Sequence, residues 1–383
     1  MEVIDNAFMR KITVVHIISS LEMGGAETTL FRLCSNDTTI KHVVISLTSE
    51  GVYGKKFRKM GVDVYSLNLS KSVFGILRCW NLYGILRQID PQIVQTWMYH
   101  ADFLGGIMAK IAKVKHVVWG VRTTELKEKS YSTAVIRRVC ALLSHVLPSK
   151  IVVVAEASRA RHHQLGYDAA KMILIPNGFL VADFSVENMQ KEALRKEFSI
   201  TGEDTVVGCV GRLSQDKGQD VLIEASRFVL DKYPYVKFLM IGRGIDNSNL
   251  DLRSKIEKES NLQAFILAGE RNDIPVCMSV MSIFCLPSRT EGFPNVLVEA
   301  MISEVCCVST DVGDARLLGG DDVILAEPNS PEDLSRKILL LVEKSKDERR
   351  QLGERLKNRA ISEFSIEKMV HRYQILYQGL IRS

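Results

Sequence analysis

Short apolar runs recur along the chain, and each gives way to a polar or glycine-rich turn followed by residues with helical spacing. Lys11 to Ser20 is the first, a continuous β-branched run of the kind buried on both faces of a parallel sheet. Similar runs at 42–47, 62–67, 93–97, 116–120, 151–155 and 172–175 predict the rest of one sheet. A second series, at 205–210, 236–241, 265–268, 283–286, 305–309 and 323–326, predicts another. Helical spacing fills the gaps, most plainly at 26–34, 71–89, 130–147, 219–231 and 332–344, and through much of 347–383. Strand and helix alternating in this way predict an α/β chain of parallel sheets, and 383 residues is too long for one ordinary core. Ile175-Pro176-Asn177-Gly178, after the last run of the first series, is strong turn chemistry.

The stretch that carries the chemistry runs from Pro287 to Ile302. The apolar strand Ile283–Leu286 delivers the chain to a polar turn, Glu291-Gly292-Phe293, and Pro294 is expected as the first residue of a helix, where its missing N–H costs nothing. A helix starting there turns its first N–H groups, from Asn295 and Val296 onward, toward whatever lies above the strand ends, a setting that favours phosphate. Glu291 and Glu299 flank this helix start with seven residues between them, spaced to reach different hydroxyls of one ligand. Gly211-Arg212-Leu213 and Lys217-Gly218 put two cations on a glycine turn after a buried strand, which suits a diphosphate.

Other strand ends fall where ligands collect in open α/β sheets, outside the carboxyl edge. Gly24-Gly25 follows the first strand and lets a ligand approach the backbone. His100 follows the fourth and Arg122 the fifth, and both are candidates for an acceptor side. The adjacent His162-His163 point to different helix faces and make a poor metal pair. Gly242-Arg243-Gly244 ends in Asn247 rather than the third glycine of a dinucleotide fingerprint, which removes a nicotinamide dehydrogenase from contention. The eight cysteines show no Cys-x-x-Cys spacing and read as small core residues of a reducing compartment.

The phrase Ser-Arg-Thr-Glu-Gly-Phe-Pro-Asn-Val-Leu-Val-Glu-Ala-Met around Glu291 and Glu299 closely resembles the signature of the retaining nucleotide-sugar glycosyltransferases of family 4. Gly24-Gly25-Ala26-Glu27, Ile175–Gly178, Gly211–Leu213 with Lys217-Gly218, and Thr310–Asp314 extend the resemblance over nearly the whole chain. It implies the GT-B fold, two Rossmann-like doubly wound domains facing an interdomain cleft. The expected layout is an acceptor domain at 1–184, a nucleotide-sugar donor domain at 185–366, and a helix at 367–383 crossing back to the first domain. It also implies roles. Arg212 and Lys217 bind the donor diphosphate and stabilise the leaving group, Glu291 holds a hydroxyl of the donor sugar, and Glu299 holds the ribose. Gly211, Gly292, Phe293, Pro294, Asn295, Val296, Arg243 and Arg271 line the donor, and Gly24, Gly25 and Arg122 line the acceptor and phosphate loop. Relatives often place a histidine after the fifth strand, where this chain has Gly120-Val121-Arg122; His100 is the candidate substitute.

The chain has no Asp-x-Asp, the element with which the other large glycosyltransferase fold carries a metal-bound diphosphate, so no metal and no cofactor beyond the nucleotide-sugar is expected. Net charge divides unevenly: residues 1–190 hold 23 Lys+Arg against 15 Asp+Glu, and residues 191–383 hold 27 against 30. A basic first half suggests an anionic partner such as a membrane surface or lipid phosphate, and no nucleic-acid motif accompanies it. The basic, apolar stretches at 71–89 and 130–147 are candidates for such contact or plain core-facing helices. No apolar run reaches membrane-spanning length, and residues 1–10 lack a signal core, so the expectation is a cytoplasmic enzyme, peripheral on the inner face of a membrane. The resulting reading is transfer of a sugar, from UDP rather than a guanosine nucleotide, to a lipid-linked or oligosaccharide acceptor in surface-polysaccharide assembly. The rivals are a nucleotide-sugar epimerase on the same fold and a non-catalytic subunit of an assembly complex.

Overall fold

A computed structural model describes residues 11–69, 73–123 and 131–383, and by its contacts the chain divides into two units. Unit 1 comprises residues up to Gly178 together with Ile366–Ser383, and unit 2 comprises Phe179–Ser365.

Unit 1 begins with β1 (Thr13–Ile18), α1 (Gly25–Asn36), β2 (Lys41–Ser46), α2 (Gly51–Lys59), β3 (Asp63–Ser66) and α3 (Val73–Ile89). It continues with β4 (Ile93–Trp97), α4 (Tyr99–Ile111), β5 (His116–Val121), α5 (Tyr131–Leu143), β6 (Lys150–Val153), α6 (Glu156–Gln164) and β7 (Met172–Leu174). The seven strands form one parallel sheet in the order β3-β2-β1-β4-β5-β6-β7. Unit 2 has α7 (Asn188–Glu197), β8 (Thr205–Val210), α8 (Gln219–Lys232), β9 (Val236–Ile241), α9 (Leu250–Glu259), β10 (Phe265–Leu267) and α10 (Ile274–Ser279). Then come β11 (Ile283–Leu286), α11 (Asn295–Ile302), β12 (Cys306–Thr310), α12 (Ala315–Gly319), β13 (Ile324–Ala326), α13 (Pro331–Val342) and α14 (Lys346–Phe364). Its six strands are also parallel, in the order β10-β9-β8-β11-β12-β13. The last helix, α15 (Ile366–Arg382), packs with unit 1 against α1.

Each sheet runs outward in both directions from its first strand. The order therefore reverses between β1 and β4 in unit 1 and between β8 and β11 in unit 2. Loops leaving the carboxyl ends of two such neighbours diverge to opposite faces and open a crevice, the ordinary ligand position in this architecture. Topology thus singles out the turns after β1 and β4, and those after β8 and β11.

The units part at Gly178 and Phe179 rather than near residue 184. The turn Val181–Phe184 packs against α10 and α11, and the fully buried Phe179 stacks on Phe293 with ring centroids 6.4 Å apart. Aromatic burial, which turn chemistry does not reveal, assigns these six residues to unit 2. At the other end Ser365 is extended and caps α14, so the C-terminal helical stretch is two helices.

The two faces of the unit 1 sheet differ in character. One is an apolar core in which Val15, Ile17, Val43, Ile45, Val94, Val117 and Trp119 meet α4 and its neighbours. The other, which carries His16, His42, Gln95 and Trp97, meets α1 and α15 and is rich in buried polar groups.

Candidate active site

Unit 2 assembles its site from four loops at the carboxyl edge of the sheet. After β8 the chain makes a tight 3-10 turn, Gln215–Lys217, and Gly218 ends it with φ +63. A Cβ at Gly218 would collide with the carbonyl oxygen of Pro287, so this glycine lets the β8 loop press against the β11 loop. Gly242, at φ +147, does the same for the β9 loop, where a side chain would strike the carbonyl oxygen of Gly211. Gly313, at φ +57, sits beneath the β11 turn; an added Cβ would lie 2.6 Å from the Glu291 carbonyl and 2.7 Å from that of Gly292, to which Asp314 N–H donates at 2.9 Å.

Close approach of these loops joins residues far apart in the chain. Lys217 Nζ donates to Glu291 Oε1 at 2.6 Å, and the buried Ser288 Oγ donates to the same oxygen at 2.7 Å. The pair is sheltered, with side-chain exposures of 24% for Lys217 and 9% for Glu291. Arg289 braces the two loops. It grips the Asp220 carboxylate with two bonds of 2.7 and 2.8 Å and donates to the Gln215 carbonyl at 2.7 Å. Burial alone would raise the Asp220 pKa, but the Arg289 bonds and charge outweigh it and lower it, while Asp220 raises that of Arg289. Buried Gln219 donates to the carbonyls of Gly211 and Arg212 at 3.3 and 2.9 Å. The backbone of Arg212 is thereby held while its guanidinium stays exposed and, among the described residues, unpartnered.

α11 starts one residue later than its sequence suggests. Pro294 is the cap, with φ −72 and ψ 90, and Asn295 is the first helical residue. Proline still supplies the extended entry, and Leu297 N–H reaches its carbonyl at 3.0 Å. Glu299 lies half-buried on this short helix. The Phe293 ring is buried, stacked on Phe179 and edge-on to Phe364 at 5.8 Å, so it anchors the turn in the core. The Arg271 guanidinium bonds Asp273 at 2.8 and 2.7 Å and Glu197 at 2.7 Å, and lies over Phe198. Arg243 contributes its carbonyl to Leu213 N–H at 2.9 Å and leaves its side chain exposed.

In unit 1 the turn after β1 runs through extended Gly24 into Gly25 at the start of α1, where an added Cβ would touch nothing within 4 Å. The Glu27 carboxylate folds back over Gly24, and burial raises its pKa. His100 stands exposed on the first turn of α4 with its pKa lowered by partial desolvation. Arg122 sits just past β5 and lies over the Trp97 ring, 4.8 Å from centroid to guanidinium carbon. Thr124, Lys71 and Ser130 lie outside the described residues, as do the side chains of Phe74, Ile76, Leu77 and Arg78. His162 is buried against Tyr99 and the Ser158 carbonyl while His163 is exposed, as expected of neighbours on different helix faces.

One set of metal-capable side chains occurs among the described residues: His16, Cys34 and His42, with ligand atoms within 4.8 Å of one another. Hydrogen bonding accounts for it. Trp97 Nε1–H donates to His16 Nδ1 at 3.2 Å, which puts the His16 proton on Nε2. That nitrogen is 2.9 Å from His42 Nδ1, and His42 Nε2 is 3.6 Å from Asp37 Oδ2. A metal on His16 Nε2 would force the proton onto Nδ1, against the indole donor. Burial would raise Asp37, but the neighbouring His42 imidazole and hydrogen bonds from Thr39 and Gln374 hold it well below the usual carboxylate range. The sequence reading missed this relay, as it missed Ser288 and Arg289, because the residues alternate with apolar neighbours along buried strands or hide inside the Glu291 phrase.

Comparison with known proteins agrees with this geometry. Residues 190–359 match the family described as glycosyl transferases group 1, and residues 23–181 match glycosyltransferase family 4. An Escherichia coli UDP-Gal:alpha-D-GlcNAc-diphosphoundecaprenol alpha-1,3-galactosyltransferase is 26% identical over 79% of each chain. A Campylobacter jejuni N,N'-diacetylbacillosaminyl-diphospho-undecaprenol alpha-1,3-N-acetylgalactosaminyltransferase is 24% identical over 90% of this chain and 93% of its own. Among solved structures, HepE of Anabaena in complex with UDP superposes with a TM-score of 0.84 at 20% identity, covering 96% of this chain and all of HepE.

Proposed function

The chain belongs to the family 4 glycosyltransferases of GT-B fold, and from that membership we propose that it moves a sugar from UDP to a lipid-linked glycan, with retained anomeric configuration, in bacterial surface-polysaccharide assembly. The observation that carries the reading is the carboxyl edge of unit 2, where exposed Arg212, the Lys217–Glu291 pair and the start of α11 converge at the switch between β8 and β11. Uridine is supported by the UDP-Gal in the name of the E. coli relative and the UDP bound to HepE. A lipid diphosphate acceptor is supported by the diphosphoundecaprenol in the names of both bacterial relatives.

In this reading the bond from the sugar C1 to the diphosphate oxygen breaks as the acceptor oxygen bonds C1 on the same face. The acceptor proton passes to the departing diphosphate. Negative charge grows on the leaving group, so fixed positive groups contribute most: Arg212, Lys217 and the first-turn amides of α11. Glu299 takes the ribose hydroxyls and Glu291 a hydroxyl of the donor sugar. His100, in unit 1, serves the acceptor hydroxyl. No metal enters this scheme. Unit 1 also offers a surface suited to a membrane: Val135, Arg138 and Leu142 are exposed on one face of α5, with Val146 beyond it and Trp80 exposed on α3. No described helix is long and apolar enough to cross a bilayer.

The test is a panel of nucleotide-sugars read by thermal shift and by nucleotide release with a polyprenyl-diphosphate-linked sugar. Uridine donors should raise the melting temperature with concentration, and product NMR should show the donor's anomeric configuration. Epimer formation without transfer would overturn the proposal.

A further inference from the structure

Arg122 is anomalous. Its Nε, Nη1 and Nη2 are all buried and, among the described residues, have no hydrogen-bond partner, although the guanidinium carries five donors and a permanent charge. Burying such a group unpaired is strongly unfavourable. The Trp97 ring offsets only part of that cost, and the nearby Tyr373 and Tyr377 hydroxyls of α15 are far too weakly acidic to act as counter-ions, because burial raises their pKa values.

The position is specific. Arg122 follows β5 at the carboxyl edge of unit 1, beside the turn after β4. That turn is strained: Met98 has φ +73 and ψ 160, a region reserved almost entirely for glycine. It is locked to β5 by Met98 N–H on the Gly120 carbonyl at 2.9 Å. Buried Asp102 completes the lock, accepting from Thr96 Oγ1 at 2.5 Å and Gly120 N–H at 3.4 Å. A rigid, strained edge that ends in an orphaned planar cation is the arrangement expected of a phosphate subsite.

We propose that Arg122, laid on Trp97, is the anion-reading residue of the acceptor site and takes a phosphate of the acceptor's diphosphate. This rests on the glycosyl-transfer reading above. The phosphate could come from the acceptor or from the donor, so the experiment separates them. Binding of a short-chain polyprenyl-diphosphate sugar, and separately of UDP, is measured by titration calorimetry on the full chain for wild type, Arg122→Met and Arg122→Lys. Transfer is then compared between that acceptor and an uncharged alkyl glycoside of the same sugar.

Arg122→Met should weaken the diphosphate acceptor roughly tenfold to a hundredfold. Its loss in kcat/KM, carried by KM, should be at least about ten times larger for the diphosphate acceptor than for the glycoside. Arg122→Lys, a point charge without the fork, should recover part of it. Equal losses for both acceptors would make Arg122 structural and overturn the proposal. A matching loss of UDP affinity would assign it to the donor and overturn it as well. If wild type binds the acceptor through Arg122 but transfers nothing, the reaction reading fails while the subsite stands.

Discussion

The Lys217–Glu291 pair makes a prediction that opposes intuition about removing a site residue. The two side chains form a charged hydrogen bond of 2.6 Å, both less than a quarter exposed. A charge-assisted bond of this kind contributes about 1.5–3 kcal/mol net, and residual solvent access at Lys217 reduces that to about 1–2 kcal/mol. If Lys217 must leave Glu291 to meet the donor diphosphate, this energy is subtracted from donor affinity. Glu291→Gln keeps the shape and the Ser288 contact while removing the competing charge. UDP, which lacks the sugar that Glu291 would hold, should then bind roughly fivefold to thirtyfold more tightly. Transfer from the UDP-sugar should nevertheless fall, because the contact to the sugar is lost. Titration calorimetry with UDP reads the first effect and steady-state kinetics the second. UDP binding unchanged or weakened in Glu291→Gln would show that Lys217 is not held back by Glu291, and the latch argument would fail.

Three further outcomes are expected. Arg212→Ala removes an exposed cation with no partner among the described residues, so the melting temperature should move little while kcat/KM falls roughly a hundredfold or more; a loss under threefold would exclude it from the leaving-group site. Asp102 is fully buried and burial pushes its pKa up to about 8, well above its unfolded value of about 4. The folded state therefore holds a proton that the unfolded state has lost across this window, so stability relative to Asp102→Asn should fall as pH rises from 5 to 8 and level off above. A melting-temperature difference constant over that range would refute the buried neutral acid. Leu142→Asp together with Val146→Asp should reduce flotation with vesicles containing anionic lipid, without lowering the melting temperature, since both side chains are about three-quarters exposed; unchanged flotation would remove α5 from the membrane contact.

The fold was largely legible because a parallel sheet buried on both faces leaves a simple trace. Every apolar run singled out above became a strand, and the Glu291 phrase led into a helix. Boundaries were less so. Pro294 caps α11 instead of opening it, and Phe179 draws its neighbours into unit 2, both by packing that spacing does not encode. Side-chain commitments were not legible at all. Nothing along the chain distinguishes Arg212, which has no side-chain partner among the described residues, from Arg271, which is spent on Asp273 and Glu197.

What the amino-acid order determined alone was the local chemistry: strand, glycine turn, helix start, and the types of side chain delivered to each turn. Those follow from backbone sterics and short-range hydrogen bonding, which act over a few residues. The tertiary structure decided which turns become neighbours. Strand order reverses at β8 and β11, so Lys217 meets Glu291 across 74 positions, and β5 pairs directly beside β4, so Arg122 comes to rest on Trp97 with its charge unanswered among the described residues. Burial then sets which charges are neutralised and which stay available, because the dielectric around a side chain belongs to the assembled fold and not to the segment that carries it.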